Sequence, residues 1–206
     1  MSLGLDSQRR SLSGEWLQSN RKMAGVCLFL RLGAKASSRS KSVRVIAGVG
    51  MCLLASGCSS SLSSSGQVVS RLSAGLAAQA RGDYATASAD YLSVLAAQPG
   101  NFIAWYDLGV IAGHDGGAPQ AAHDYSEAIA ANPNYVPALY NLAVIDTASD
   151  PTRALSLYRR VVALQPDDAE ALFNEGLLLE STGQAALGRK DVAKAVDLDP
   201  SLGQKG

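Results

Sequence analysis

The chain has 206 residues, 18 basic and 18 acidic side chains and a formal net charge of zero. Aromatic residues make up 6% and hydrophobic residues 47%, much of it Ala and Leu, which favours helices over a β-sandwich and excludes disorder throughout. Charge is unevenly divided: residues 1–57 hold nine basic and two acidic residues (+7), residues 58–206 nine and sixteen (−7), which excludes a strongly basic nucleic-acid binder and predicts a targeting segment joined to a working domain.

The leader ends in an apolar run, VIAGVGMCLLA at 45–55, preceded by Lys41 and Arg44 and followed by Ser56 and Gly57. Eleven residues are too few to span a bilayer, which takes about 20, and they fit the apolar core of a secretory signal. The sequence LLASGC at 53–58 resembles the lipobox of bacterial lipoprotein signal peptides. That resemblance implies a diacylglyceryl group on Cys58 and a mature chain beginning there. It departs from the family at Ala55, where Leu is commonest; here the Leu, Leu54, stands one place further back. An ordinary signal peptide or a buried apolar segment, with Cys58 a free thiol, is the alternative. The stretch before the apolar run is long for a signal peptide and leaves a start at Met23, or at a non-Met codon, open. Cys27 and Cys52 fall in the part removed, so no disulfide is expected in the mature domain. Residues 58–67 then read as a lipidated Cys followed by a flexible Ser-rich tether, SSSLSSSG, spanning about 16 Å.

From residue 68 the sequence is periodic. Pro99, Pro133, Pro166 and Pro200 are separated by 34, 33 and 34 residues. Position eight of each unit holds Gly75, Gly109, Ala143 or Gly176, and position fifteen holds Gly82, Gly116 and Gly183 in three of the four. Tyr91, Tyr125 and Tyr158 stand at position twenty-four, with Val192 in the last unit; position twenty-seven holds Val94, Ala128, Val161 and Ala195. The second unit carries the fullest set: Trp105, Leu108, Gly109, Gly116, Ala121, Tyr125, Ala128 and Pro133. This pattern resembles the tetratricopeptide repeat family. The resemblance implies an all-α, right-handed superhelical solenoid of four helix-turn-helix units, 68–101, 102–135, 136–168 and 169–202, eight helices in all, with a short tail at 203–206. Pro119 and Pro151 suit the first turn of a second helix, with Asp150 as N-cap, and the third unit has lost one residue from its internal turn. Trp105 is expected in the core. In the last helix Leu187, Val192, Val196 and Leu198 form an apolar side, and Arg189, Lys190, Asp191, Lys194 and Asp197 are expected to make it self-capping, so a monomer is expected over an end-to-end dimer.

No catalytic constellation is legible. His114 and His123 lack metal-ligand spacing, no HExxH, GxSxG, phosphate loop or CxxC pair occurs, and Asp167 with Asp168 reads as a solvated turn. The chain is expected not to be an enzyme and to hold no metal or cofactor beyond the lipid.

In the tetratricopeptide family the first helix of each unit lines a concave groove. Carried onto this sequence, position five gives Leu72, Tyr106, Tyr140 and Phe173, position six Ser73, Asp107, Asn141 and Asn174, and position nine Leu76, Val110, Val144 and Leu177. The groove is expected to hold a protein or peptide segment, apolar or mildly basic, since Glu170 and Glu180 add negative charge. The same aromatic residues at helical spacing also suit packing between repeats. Together these features predict a lipid-anchored, extracytoplasmic scaffold of a bacterial cell envelope. A pilus or secretion-type assembly component, or an accessory subunit of an envelope enzyme, are the alternatives.

Overall fold

The computed structural model describes residues 61–204; the apolar run at 45–55 and Cys27, Cys52 and Cys58 lie outside them. Among the described residues there are eight α-helices and no strand: α1 Ser61–Ala80, α2 Tyr84–Ala97, α3 Phe102–His114, α4 Ala118–Ala131, α5 Val136–Ser149, α6 Pro151–Leu164, α7 Ala169–Ser181 and α8 Ala185–Leu198, closed by a 3₁₀ turn Pro200–Gln204. Each odd-numbered helix packs most extensively on the one that follows it, and successive hairpins stack in chain order into a solenoid. No helix among the described residues is long and apolar enough to cross a membrane.

The turn chemistry explains the helix ends. Gly82, Gly116 and Gly183 adopt φ of +78°, +78° and +88° at the bend inside their hairpins, a conformation that a Cβ disfavours. Side chains then cap the helix starts: Asp83 accepts from the Thr86 amide (3.2 Å), Asn101 from Ala104 (3.1 Å) and Asp168 from Ala171 (2.9 Å). In the third hairpin the lost residue leaves Asp150 alone between α5 and α6, where it both ends one helix and caps the next through the Arg153 amide (3.0 Å). Pro119 and Pro151 fall in first turns, where no N–H is needed.

Of the stretch 58–67 expected as a tether, residues 58–60 lie outside the described residues and 61–67 belong to α1. Val68, Leu72 and Gly75 pack this helix onto α2, and a helix held there extends backwards through Gly66, at a cost of about 1 kcal/mol, and serines of middling propensity.

Within each of the first three hairpins a fully buried Tyr lies between the helices. The position-eight glycines make room for it: a Cβ on Gly75 would stand 2.7 Å from the Tyr91 ring, and one on Gly109 2.6 Å from the Tyr125 ring. In the fourth hairpin Val192 replaces the Tyr and the helices close further, so that a Cβ on Gly176 would stand 2.8 Å from the Gly188 carbonyl oxygen.

Between hairpins, the prolyl carbonyl just past the second helix accepts a hydrogen bond from the next unit. Trp105 Nε1 donates to Pro99 (2.8 Å), Arg160 to Pro133 (2.6 Å) and Lys194 to Pro166 (2.6 Å). Trp105, expected in the core, is half-buried at this junction and packs against the buried clusters on both sides of it. At the far end Leu202 of the 3₁₀ turn is buried against Leu172 and Ala195.

Candidate functional site

The residues expected to line a groove divide into two groups. Asp107, Tyr140 and Asn141 are buried (6%, 6% and 4% exposed), which removes them from a surface that a ligand reaches. For Asp107 and Asn141 the reason is that position six faces a Tyr of the preceding hairpin, while Tyr140, at position five, packs edge-on against Tyr158 of its own hairpin. Asn141 donates to the Tyr125 hydroxyl (3.3 Å), and Asp107 lies close to the Tyr91 hydroxyl, which itself donates to Gln79 Oε1 (2.7 Å). Asn174, half-buried, donates to the Tyr140 hydroxyl (2.8 Å) and so links the third and fourth hairpins. Tyr106 is half-buried and packs at 5.2 Å, edge-on, against Tyr135; Phe173 packs beside Leu172 and Leu202.

Tyr106, Phe173 and Asn174 stay partly accessible, and the two exposed candidates stand at position nine. Leu76 and Leu177 are 42% and 46% exposed, and Val110 and Val144 are half-buried between them. One apolar residue per first helix thus reaches the surface across all four hairpins.

Burial governs the acids of the array. Asp107 Oδ2 has no hydrogen-bond partner among the described residues, and desolvation pushes its carboxyl up to about 7. Burial likewise raises Tyr91 and Tyr125 well above the phenol range and Tyr158 to about 12. Three other buried acids have an arginine. Arg71 Nη1 lies 2.8 Å from Asp90 Oδ1, Arg153 Nε 3.3 Å from Asp146 Oδ2, and Arg159 Nε 3.4 Å from Glu175 Oε1.

A second surface was not anticipated. Between α2 and α4, over α3, a hollow of about 300 Å³ is lined by Leu92, Trp105, Leu108, Ala112, Gln120 and Asp124. Trp105, Leu108 and Ala112 lie roughly half a turn around α3 from Tyr106 and Val110, so this hollow and the position-nine row use different faces. Asp124 is 3% exposed; Gln120 Nε2 donates to its Oδ1 (2.9 Å), and His123 Nδ1 lies 3.0 Å from the same oxygen. That contact raises the His123 pKa above its ordinary value. The sequence signal for this site was the placement of arginines relative to acids across the units. His114 stacks instead on Tyr84 (4.4 Å), so the two histidines do not converge, and no metal-ligating cluster occurs among the described residues.

A tetratricopeptide repeat family model matches residues 72–116 and 147–202. Solved structures share the fold. MamA from Desulfovibrio magneticus RS-1 is 23% identical with a TM-score of 0.60, covering 65% of this chain and 76% of that one. A tetratricopeptide repeat protein from Parabacteroides merdae is 20% identical with a TM-score of 0.59, covering 68% and 55%. YrrB, described as a TPR protein with an unusual peptide-binding site, is 21% identical with a TM-score of 0.58, covering 69% and 74%. No curated protein matches in sequence. The fold is that of a tetratricopeptide array.

Proposed function

We propose that this chain is a tetratricopeptide repeat protein acting as a noncatalytic scaffold, held at an extracytoplasmic membrane surface by a diacylglyceryl group on Cys58 and binding a protein or peptide segment along its first helices. The observation that carries the binding reading is the accessible row Leu76, Val110, Val144 and Leu177. An extended or helical partner laying apolar side chains along it would touch every hairpin. YrrB, an array of the same fold, is described as having a peptide-binding site, the kind of ligand proposed here. The half-buried Glu170 and exposed Glu180 on α7 favour an apolar or mildly basic partner over an acidic one. The anchor rests on LLASGC and the basic, apolar leader before it. Lipoprotein maturation attaches two or more acyl chains, and two anchor a protein stably where one does so only marginally.

Two measurements test this. Crosslinked pull-down from the source membranes should lose its partner in a Leu76→Lys, Leu177→Lys double variant and keep it in Leu164→Lys, also an exposed leucine (41%) but on α6. A partner retained equally by both variants overturns the row as the binding surface. Intact mass of the mature protein should show a chain beginning at a lipidated Cys58; an unmodified chain beginning upstream refutes the anchor.

A further inference from the structure

Asp124 stands out when the hairpins are superposed by register. At each later junction an arginine of the chain itself stands in register with a residue of this hollow's wall and pairs with a buried acid. Between the second and third hairpins Arg153, which stands in register with Gln120, reaches Ser126 Oγ (3.2 Å) and lies 3.3 Å from the buried Asp146. Ser126 and Asp146 are in register with Leu92 and Ala112. Between the third and fourth hairpins the cation comes from the other wall: Arg159, also in register with Leu92, lies 3.4 Å from the buried Glu175. In the first hairpin Asp90, in register with Asp124 itself, is held by Arg71 at 2.8 Å, and the residue in register with Arg71 in the second hairpin is Trp105.

Only at the first junction are the three arginine positions filled otherwise, by Trp105, Gln120 and Leu92, while the buried carboxylate remains. Both of its hydrogen-bonding contacts fall on Oδ1, leaving Oδ2 without one among the described residues. Leu92 at the rim is 57% exposed and Trp105 half-buried, so the hollow opens to solvent. About 300 Å³ is at the small end for a ligand pocket, a size suited to one side chain.

We infer that this hollow receives an arginine side chain presented by a partner protein, its guanidinium pairing with Asp124 and its stem lying across Leu92, Trp105 and Leu108. Charge complementarity names the occupant: the lining holds the Asp124 carboxylate and no lysine or arginine, and residues 58–206 are net acidic. Arginine fits better than lysine, because a planar guanidinium both forks onto a carboxylate and stacks on an indole, while its methylenes cover apolar surface. The contact is independent of the position-nine row, since it lies on another face of α3.

The test uses the full-length protein and blocked amino acids as probes. N-acetyl-arginine amide, followed by the Trp105 indole N–H and His123 ring signals in NMR, should titrate saturably, and the uncharged isostere N-acetyl-citrulline amide should bind about tenfold more weakly or not at all. Asp124→Asn should lose about tenfold or more in affinity for the arginine probe, with its amide spectrum otherwise native. Gln120→Arg, which copies Arg153 and brings a guanidinium beside Asp124 from α4 itself, should abolish the titration and raise Tm. Citrulline binding as well as arginine, or Asp124→Asn titrating like the native chain, overturns the proposal. Should Asp124→Asn not fold, Gln120→Arg decides, and undiminished probe binding there refutes it.

Discussion

Position six of the repeat holds Asp107 in the second hairpin and Asn141 and Asn174 in the third and fourth, and the difference between them is one of charge. All three sit near a tyrosine hydroxyl, but an amide there is neutral at every pH, whereas Asp107 must stay protonated to avoid an unpaired buried charge. Its folded pKa of about 7 lies above the unfolded value of about 3.9, so the unfolded chain releases this proton first as pH rises. Stability contributed by the neutral acid is therefore full below pH ~4 and is lost between ~4 and ~7, at up to about 1.4 kcal/mol per pH unit. The groups around it do not reverse the sign, since Tyr91 and Tyr125 remain neutral phenols there and Asp90 is paired with Arg71. Asp107→Asn should accordingly raise the thermal midpoint at pH 7.5 and change it little at pH 4.5. Equal shifts at the two pH values would show that Asp107 does not titrate on unfolding in this range.

At the scale of the helix pair, the fit of Gly109 beneath Tyr125 sets how closely α3 and α4 approach. Gly109→Ala places a Cβ 2.6 Å from a fully buried ring that has no room to move. Overpacking of about 1–3 kcal/mol exceeds the gain of up to about 1 kcal/mol from Ala over Gly in a helix, so urea unfolding should show a net loss. Gly66→Ala in α1 meets nothing within 4 Å and should move stability the other way, by about 0.5–1 kcal/mol. A gain at both sites would mean that the close approach carries no constraint. Gly109 and the other position-eight glycines were legible in the sequence because their spacing repeats with the tyrosines and prolines they serve. Local pattern placed the helix pairs and the Asp150 cap for the same reason: each depends on a few neighbouring residues. It did not place Asp107, Tyr140 and Asn141, because positions five, six and nine lie within one arc of a helix. Whether a residue in that arc meets solvent or the previous hairpin is settled by how the hairpins tilt, which no single repeat encodes. The hollow at Asp124 was missed for a related reason, since it is defined by residues from three helices and by arginines that stand only in the other units.

Among the described residues the extensive contacts of each hairpin are with its neighbours, so stability is approximately a sum of hairpin and junction contributions, and an end hairpin has one junction where an inner one has two. The fourth hairpin shows the consequence. Among the described residues, Leu187 and Leu198 of α8 are 54% and 43% exposed, Val192 and Val196 are half-buried, and the 3₁₀ turn covers the helix through Leu202. The third hairpin, by contrast, is clasped on both sides by Arg160 to Pro133 and Lys194 to Pro166, and holds much of the largest buried cluster. Amide hydrogen exchange should therefore open α7 and α8 before α5 and α6. Leu202→Ala removes a buried leucine, 4% exposed, from the small cluster it forms with Leu172 and Ala195, at a cost of about 2–5 kcal/mol. Because that cost falls on a single terminal junction, protection should drop in α7 and α8 and stay native in α1 to α6. A uniform loss of protection along all eight helices would instead show that the four hairpins unfold as one unit and that the nearest-neighbour description does not hold for this array.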